Sequence, residues 1–440
     1  MTTTPSSPGA APEGEPLGPE PVSDSPLAGG SQPEAPQQTR TESFLHQVMS
    51  SSWVLTLGAV VLAILLGAVL IVATDAEVQA TASYFFARPS DFFAAAWRAA
   101  SEAYIALFQG AIYDSNATSF VRAIRPITET LTIATPLILA GLSIGLGFRA
   151  GLFNIGGQGQ VILGAIGATW LGFALHLPVG LHLLVALLGA AAGGAIWAGI
   201  AGVLKARTGA HEVIVTIMLN NIAGFFVLWL VYTKYFASKT PGVSKPIQST
   251  AMLPKLLPDP FRLHLGFVLA LAIAVGVWWL MERSSLGFKL RAVGSNARAA
   301  RTAGISVAAM TVAAMAISGA LSGLAGGTLV LGTEGKLSAA VVGSIGFDAI
   351  TVALLGRSKP LGTVLAGLLF GALAAGGRLM QTRTGTPLDL VLVLQSFIVL
   401  FIAAPPLVRS IFRLPAPGSG KRPTRAKQAT VPTEQAGAAA

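Results

Sequence analysis

The sequence contains no cysteine, which excludes disulfides, thiolate metal sites and cysteine nucleophiles. Charge is scarce too. Only 11% of the 440 residues are Asp, Glu, Lys or Arg, less than half the roughly 25% of a soluble domain. So little charge cannot coat a water-facing surface, and a soluble globular enzyme is excluded. No G-x-x-x-x-G-K-[ST] string occurs, so the chain is expected to hydrolyse no ATP of its own. H-E-x-x-H fails as well, because Val215 stands where a second histidine after His211-Glu212 would be needed. No Ser/His/Asp set can be assembled, and neither a metal nor a cofactor is expected.

What the chain has in abundance is apolar surface. Hydrophobic residues make up 53%, the mean hydropathy is +0.68, and the 50 Gly and 26 Pro suit membrane helices better than a soluble helical core. Its 29 basic and 19 acidic residues leave a net charge of +10. In a membrane protein these cations act as topology signals, so no nucleic acid is expected as a partner.

The fold class expected is all-α: a polytopic membrane protein with about ten spans, discontinuous short helices and both termini cytoplasmic. Residues 1–52 are rich in Pro, Ser, Gly and Glu, and their composition predicts a disordered tail. Residues 409–440 read as a basic, low-complexity tail. The body, 53–408, holds apolar runs at 53–74, 127–147, 152–175, 179–203, 213–232, 264–281, 307–331, 341–355, 362–376 and 389–408, each set against the roughly 20 residues a bilayer requires. With the N-terminus inside, the cytoplasmic loops hold ten Lys or Arg in 44 residues and the opposite loops twelve in 107, the direction of the positive-inside rule. Segment 75–126 is a long external excursion. Its stretch 90–110, with Trp97 and Arg98, suits a helix on the bilayer surface or a cap packed on the spans.

Two places break the helical pattern. Gly151-Leu-Phe-Asn-Ile-Gly-Gly-Gln-Gly-Gln160 opens the third span with helix-weakening glycines and with amides, Asn154, Gln158 and Gln160, that lipid cannot satisfy. Such backbone is tolerated in a membrane only against protein or a watery cavity, so the string marks a translocation path or a close-packed hydrogen-bonded junction. The second break, Val341 to Ile350, carries Asp348, an acid in an apolar run and therefore a site candidate or a helix-end carboxylate. The second break comes five spans after the first, a loose inverted repeat whose paired broken helices would frame a central site. Asn220, in the fifth span, joins the candidates for the substrate pathway.

Between spans six and seven runs a loop, 282–306. Gly294-Ser295-Asn296 is turn chemistry, Ser295 or Asn296 a candidate N-cap, and Ala297–Ala303 a short helix closed by Gly304. Arg291, Arg298 and Arg301 give it a basic face. By its residues alone this is either a helix that a partner could push or a loop that sets topology.

Here the sequence resembles the permease subunits of ABC importers, in the branch that includes branched-chain amino acid, ribose and nucleoside permeases. The pattern G-x-x-x-R-A-V-G-x-N-x-x-A-A-x-x-x-G-I is matched by Gly287, Arg291, Ala292, Val293, Gly294, Asn296, Ala299, Ala300, Gly304 and Ile305. Phe153-Asn-Ile-Gly-x-x-Gly-Gln160 and Ser318 to Gly326 extend the likeness, which covers about 120–408. Three stretches, His211–Asn220, Gly346–Gly356 and Gly376–Gln381, look most like nucleoside permeases that work with basic-membrane-protein-type lipoproteins. His211, Asn221 and Gln158 depart from the residues common there, which are Asn, Tyr and Glu. The resemblance implies a permease half of a dimer, homo- or heteromeric, in the bacterial cytoplasmic membrane. It implies a separate ABC ATPase gripping 291–305 as a coupling helix, an external substrate-binding lipoprotein and a nucleoside substrate. A sugar or branched-chain amino acid permease of the same branch, and an ion-coupled transporter, remain open.

Overall fold

The computed structural model describes residues 52–412; the expected tails lie outside them, except that Ser52 begins the first helix and residues 409–411 end a short terminal one. Among the described residues there are helices and no strands, only isolated bridges such as Val243 with Ser338. In chain order the helices are α1 (Ser52–Thr74), α2 (Ala76–Ala82), α3 (Pro89–Ala111), α4 (Phe120–Arg149), α5 (Gly157–Ala174), α6 (Leu181–Thr208), α7 (Glu212–Leu230) and α8 (Gly266–Arg283). There follow α9 (Ser285–Ser295), α10 (Ala297–Thr302), α11 (Val307–Leu329), α12 (Ile345–Leu355), α13 (Pro360–Thr384), α14 (Leu388–Ala403) and α15 (Pro405–Ile411).

Six of these helices are long and apolar enough to cross a membrane, or seven with the α1–α2 pair, which bends by 71°; α12 and the apolar stretch Leu388–Ile402 of α14 are shorter. The bend has a local cause. Asp75 leaves helical geometry and its carboxylate accepts the N–H groups of Glu77 and Val78, starting a new helix. The expected span 362–376 is longer than its apolar run, for α13 continues through Gly376-Gly377-Arg378 to Thr384.

Small residues set the packing. A Cβ on Gly194 would lie 2.1 Å from the carbonyl oxygen of Gly319, and one on Gly326 would lie 2.0 Å from that of Val161. Helices α5, α6 and α11 therefore meet backbone to backbone, the means by which membrane helices associate where apolar burial gives no drive. The segment before the second span is held against the spans: Tyr104 of α3 donates its hydroxyl to the Ile64 carbonyl, midway along α1, at 2.5 Å, and Gly110 abuts Gly376 of α13. The outward stripe of α3, Phe93, Trp97, Ile105 and Phe108, is exposed.

The helices pack in corresponding pairs. Helix α4 packs on α12 and α13 as α11 packs on α5 and α6, and α5 meets α7 as α12 meets α14. Because α4 ends beside the 282–306 segment and α11 begins after it, the two sets run in opposite directions, the arrangement the loose repeat suggested.

Candidate functional site

Each break precedes a helix, and the two meet. Residues 151–156 form a non-helical entry to α5 and residues 335–344 an irregular entry to α12. A Cβ on Gly346 would lie 2.2 Å from the Gln158 backbone, so only glycine permits this approach. Gln158 fastens the contact. Its Nε2 donates to the Gly343 carbonyl at 2.6 Å, and its Oε1 accepts the Gly346 N–H at 2.9 Å.

The other amides of the first break face inward. Asn154 and Gln160 are buried and bond each other twice, Nδ2 to Oε1 at 3.0 Å and Nε2 to Oδ1 at 2.9 Å. Asn154 also accepts the Gly156 N–H and donates to Ser318 Oγ. From Ser318 the network runs on: Ser143 donates to the Ser318 carbonyl at 2.6 Å, and Ser322 to Ser143 Oγ at 2.7 Å. Asn220 caps the broken helix from α7, accepting the Gly159 N–H at 2.8 Å and donating to the Ile155 carbonyl at 2.9 Å. Asn221 is exposed and bonds only back to its own helix, at the Ile217 carbonyl. The sequence grouped five polar residues. The structure divides them into three that fix the broken helix (Asn154, Gln160, Asn220) and two, Gln158 and Asp348, that keep some exposure.

Asp348 accepts a hydrogen bond from Ser344 Oγ at 2.8 Å. It stands in the first turn of α12, where the positive end of the helix favours a carboxylate. Ser344 and Phe347 beside it are exposed. Hydropathy cannot single out either, since a serine next to a glycine reads as a break and a phenylalanine as lipid-facing.

The 282–306 segment folds into two helices. α10 has the caps its sequence announces: Asn296 Oδ1 accepts the N–H groups of Arg298 and Ala299, and Gly304, at φ +77°, turns the chain out so that Ile305 N–H reaches the Ala300 carbonyl. Ala300 packs inward, while Asn296, Arg298, Ala299 and Arg301 are exposed. α9, unexpected from a sequence punctuated by glycine and serine, takes in Gly287 and Gly294. Each stands where another backbone comes close, for a Cβ on Gly287 would lie 2.0 Å from the Leu280 carbonyl oxygen, and one on Gly294 2.6 Å from that of Arg149. Gly294 thus abuts Gly151, the first residue of the broken string. Arg291 turns away from the basic face of α10. It pairs with Glu282 at 2.7 Å, which also binds Arg149 at 2.5 Å, clamping α9 to the ends of α4 and α8. Sequence reasoning missed Glu282, although it is the sole acid in the loop.

Over 296 residues, 65% of this chain and 83% of the relative, the protein is 42% identical to the guanosine ABC transporter permease protein NupP of Bacillus subtilis. It is 35% identical to the nucleoside ABC transporter permease protein NupB of Lactococcus lactis subsp. cremoris, covering 66% of this chain and 82% of that one. It is also 35% identical to the glucose ABC transporter permease protein TsgB13 of Haloferax volcanii, covering 63% and 75%. No solved structure matches. The family described as branched-chain amino acid transport system, permease component, matches residues 127–403, which take in both breaks and the two-helix segment between them, and the chain belongs to that family.

Proposed function

We propose that this chain is the nucleoside-conducting permease subunit of an ATP-driven importer in the cytoplasmic membrane, moved by a separate ATPase that seats on α10. The observation that carries this reading is the continuous connection from α10 to the paired breaks. α10 is joined to α9 through Asn296, α9 touches the broken string at Gly294–Gly151, and that string ends on α12 at Gln158–Gly346. ATP-driven closure of the motor then displaces α9 and α10 as a rigid unit, and the two-state element it biases is the junction of the breaks.

In this reading Gln158, Ser344 and Asp348 face the pathway and offer hydrogen bonds to ribose hydroxyls or base edges, with Phe347 as a stacking surface. Asn154, Gln160 and Asn220 hold the broken backbone in place. The pathway lies between this subunit and a second permease, an external lipoprotein delivers substrate, and both termini lie in the cytoplasm. The lack of a phosphate-binding loop assigns hydrolysis to the partner. The guanosine and nucleoside relatives support the substrate class, and the glucose relative makes sugar its rival.

Uptake by proteoliposomes holding the complete transporter tests this. Nucleoside import should need ATP and the ATPase subunit, and excess nucleoside should suppress it where glucose or leucine does not. Suppression by glucose alone would transfer the assignment to sugars, and import driven by an ion gradient without the ATPase would overturn it.

A further inference from the structure

At the end of α4 remote from α9, a cavity of about 510 Å³ opens among α4, α13, the end of α3 and the segment before α8. Along α4 the distance from Arg122, on its wall, to Arg149, in the clamp, is roughly 40 Å at 1.5 Å per residue. The two features therefore stand on opposite sides of a bilayer-length helix. The cavity falls within the roughly 300–1,000 Å³ of small-molecule sites.

Its wall carries four guanidinium groups, on Arg122, Arg125, Arg262 and Arg378, and two carboxylates, on Asp114 and Glu129. Both carboxylates are engaged, Asp114 with Arg383 at 2.9 Å and Glu129 with Arg262 at 3.6 Å. Arg122 bonds Thr118 Oγ1 at 3.3 Å. The guanidinium groups of Arg125 and Arg378 have no partner among the described residues. The positive-inside rule gives no reason for such a cluster, since this end faces away from the segment read as cytoplasmic. Cations gathered on a concave, low-dielectric wall concentrate anions, and guanidinium forks match phosphate oxygens.

We infer that this cavity binds a phosphate ester, its phosphate on Arg125, Arg378 and Arg122. That chemistry has two sources, the headgroup of phosphatidylglycerol and a nucleoside monophosphate in solution.

The test uses the purified intact transporter. Native mass spectrometry reads retained phosphatidylglycerol, and equilibrium binding reads radiolabelled AMP. Wild type should hold at least one of them. Arg125→Gln with Arg378→Gln should weaken it by roughly tenfold for each guanidinium removed. Lipid retention alone identifies the membrane as the source, and AMP binding alone identifies solution. If the double variant fails to assemble, the exposed Arg378→Gln alone should still weaken binding about tenfold. Binding of neither probe, or binding that the arginine variants leave unchanged, overturns the inference.

Discussion

Replacing Gly346 by alanine adds a single methyl group where two broken helices touch. That methyl would lie 2.2 Å from the backbone nitrogen and Cα of Gln158, where ordinary contact begins at 3.4 Å, so α5 and α12 must separate by about 1 Å. Neither obstructing atom belongs to a side chain that can rotate away. Overpacking costs roughly 1–3 kcal/mol where side chains can adjust, and a backbone collision belongs at the upper end. The separation also stretches the Gln158 Oε1 to Gly346 N–H bond, worth about 1 kcal/mol. Together these should move the junction's equilibrium by at least tenfold. The assay is ATP-driven nucleoside uptake in proteoliposomes, with co-purification of the ATPase as the check on assembly. Gly346→Ala should assemble and lose at least about tenfold in uptake. Gly343→Ala is the control, since a Cβ there meets nothing within 4 Å and only its φ of +51° is strained, a penalty of about 1–2 kcal/mol. Wild-type transport by Gly346→Ala would refute the claim that this contact is part of the moving element.

Three further outcomes follow from the same geometry. Asp348→Asn keeps the side-chain size and the Ser344 contact but removes the charge, so KM for nucleoside should rise about tenfold, one charge-assisted hydrogen bond, with the ATPase still bound; an unchanged KM would remove Asp348 from the pathway. Glu282→Gln breaks both arms of a partly exposed clamp worth about 1 kcal/mol per pair; nucleoside moved per ATP hydrolysed should fall while hydrolysis continues, and an unaltered ratio would count against the clamp. His264, in the segment before α8, is buried and lies near Arg262, which together push its pKa down to about 4 from 6.5. It is therefore neutral when folded but takes a proton when exposed, so stability is full above about pH 6.5 and is lost as pH falls toward 4, by on the order of 3 kcal/mol. Thermal unfolding at several pH values should show that slope and His264→Gln should flatten it; an equal slope in both would exclude His264 as the cause.

Much of this architecture was legible in the sequence, because bilayer-length apolar runs and helix caps are local signals. Asn296 and Gly304 bound α10 as their chemistry requires. The glycines misled where their purpose lay in another element. The span expected over 362–376 stopped at Gly376, yet α13 runs on to Thr384, and that glycine serves a contact with α3, where a Cβ would lie 2.2 Å from the Leu107 carbonyl oxygen. Gly287 and Gly294 hid α9 in the same way. Intramembrane polarity identified Asn154, Gln158, Gln160, Asn220 and Asp348 together, but which amides satisfy one another depends on partners such as Ser318 of α11, more than 150 residues away. The Arg149–Glu282–Arg291 clamp was illegible for the same reason, since its arms come from separate helices.

Because the chain lacks cysteine, one introduced thiol is a unique handle. Ala299→Cys places it on the exposed side of α10, and crosslinking to the ATPase subunit in the assembled, transporting complex tests directly whether α10 is where the motor acts. The account predicts a specific crosslink whose yield changes when ATP is bound, with uptake abolished once it forms. Absence of any crosslink from α10, in a complex that still imports nucleoside at the expense of ATP, would contradict it.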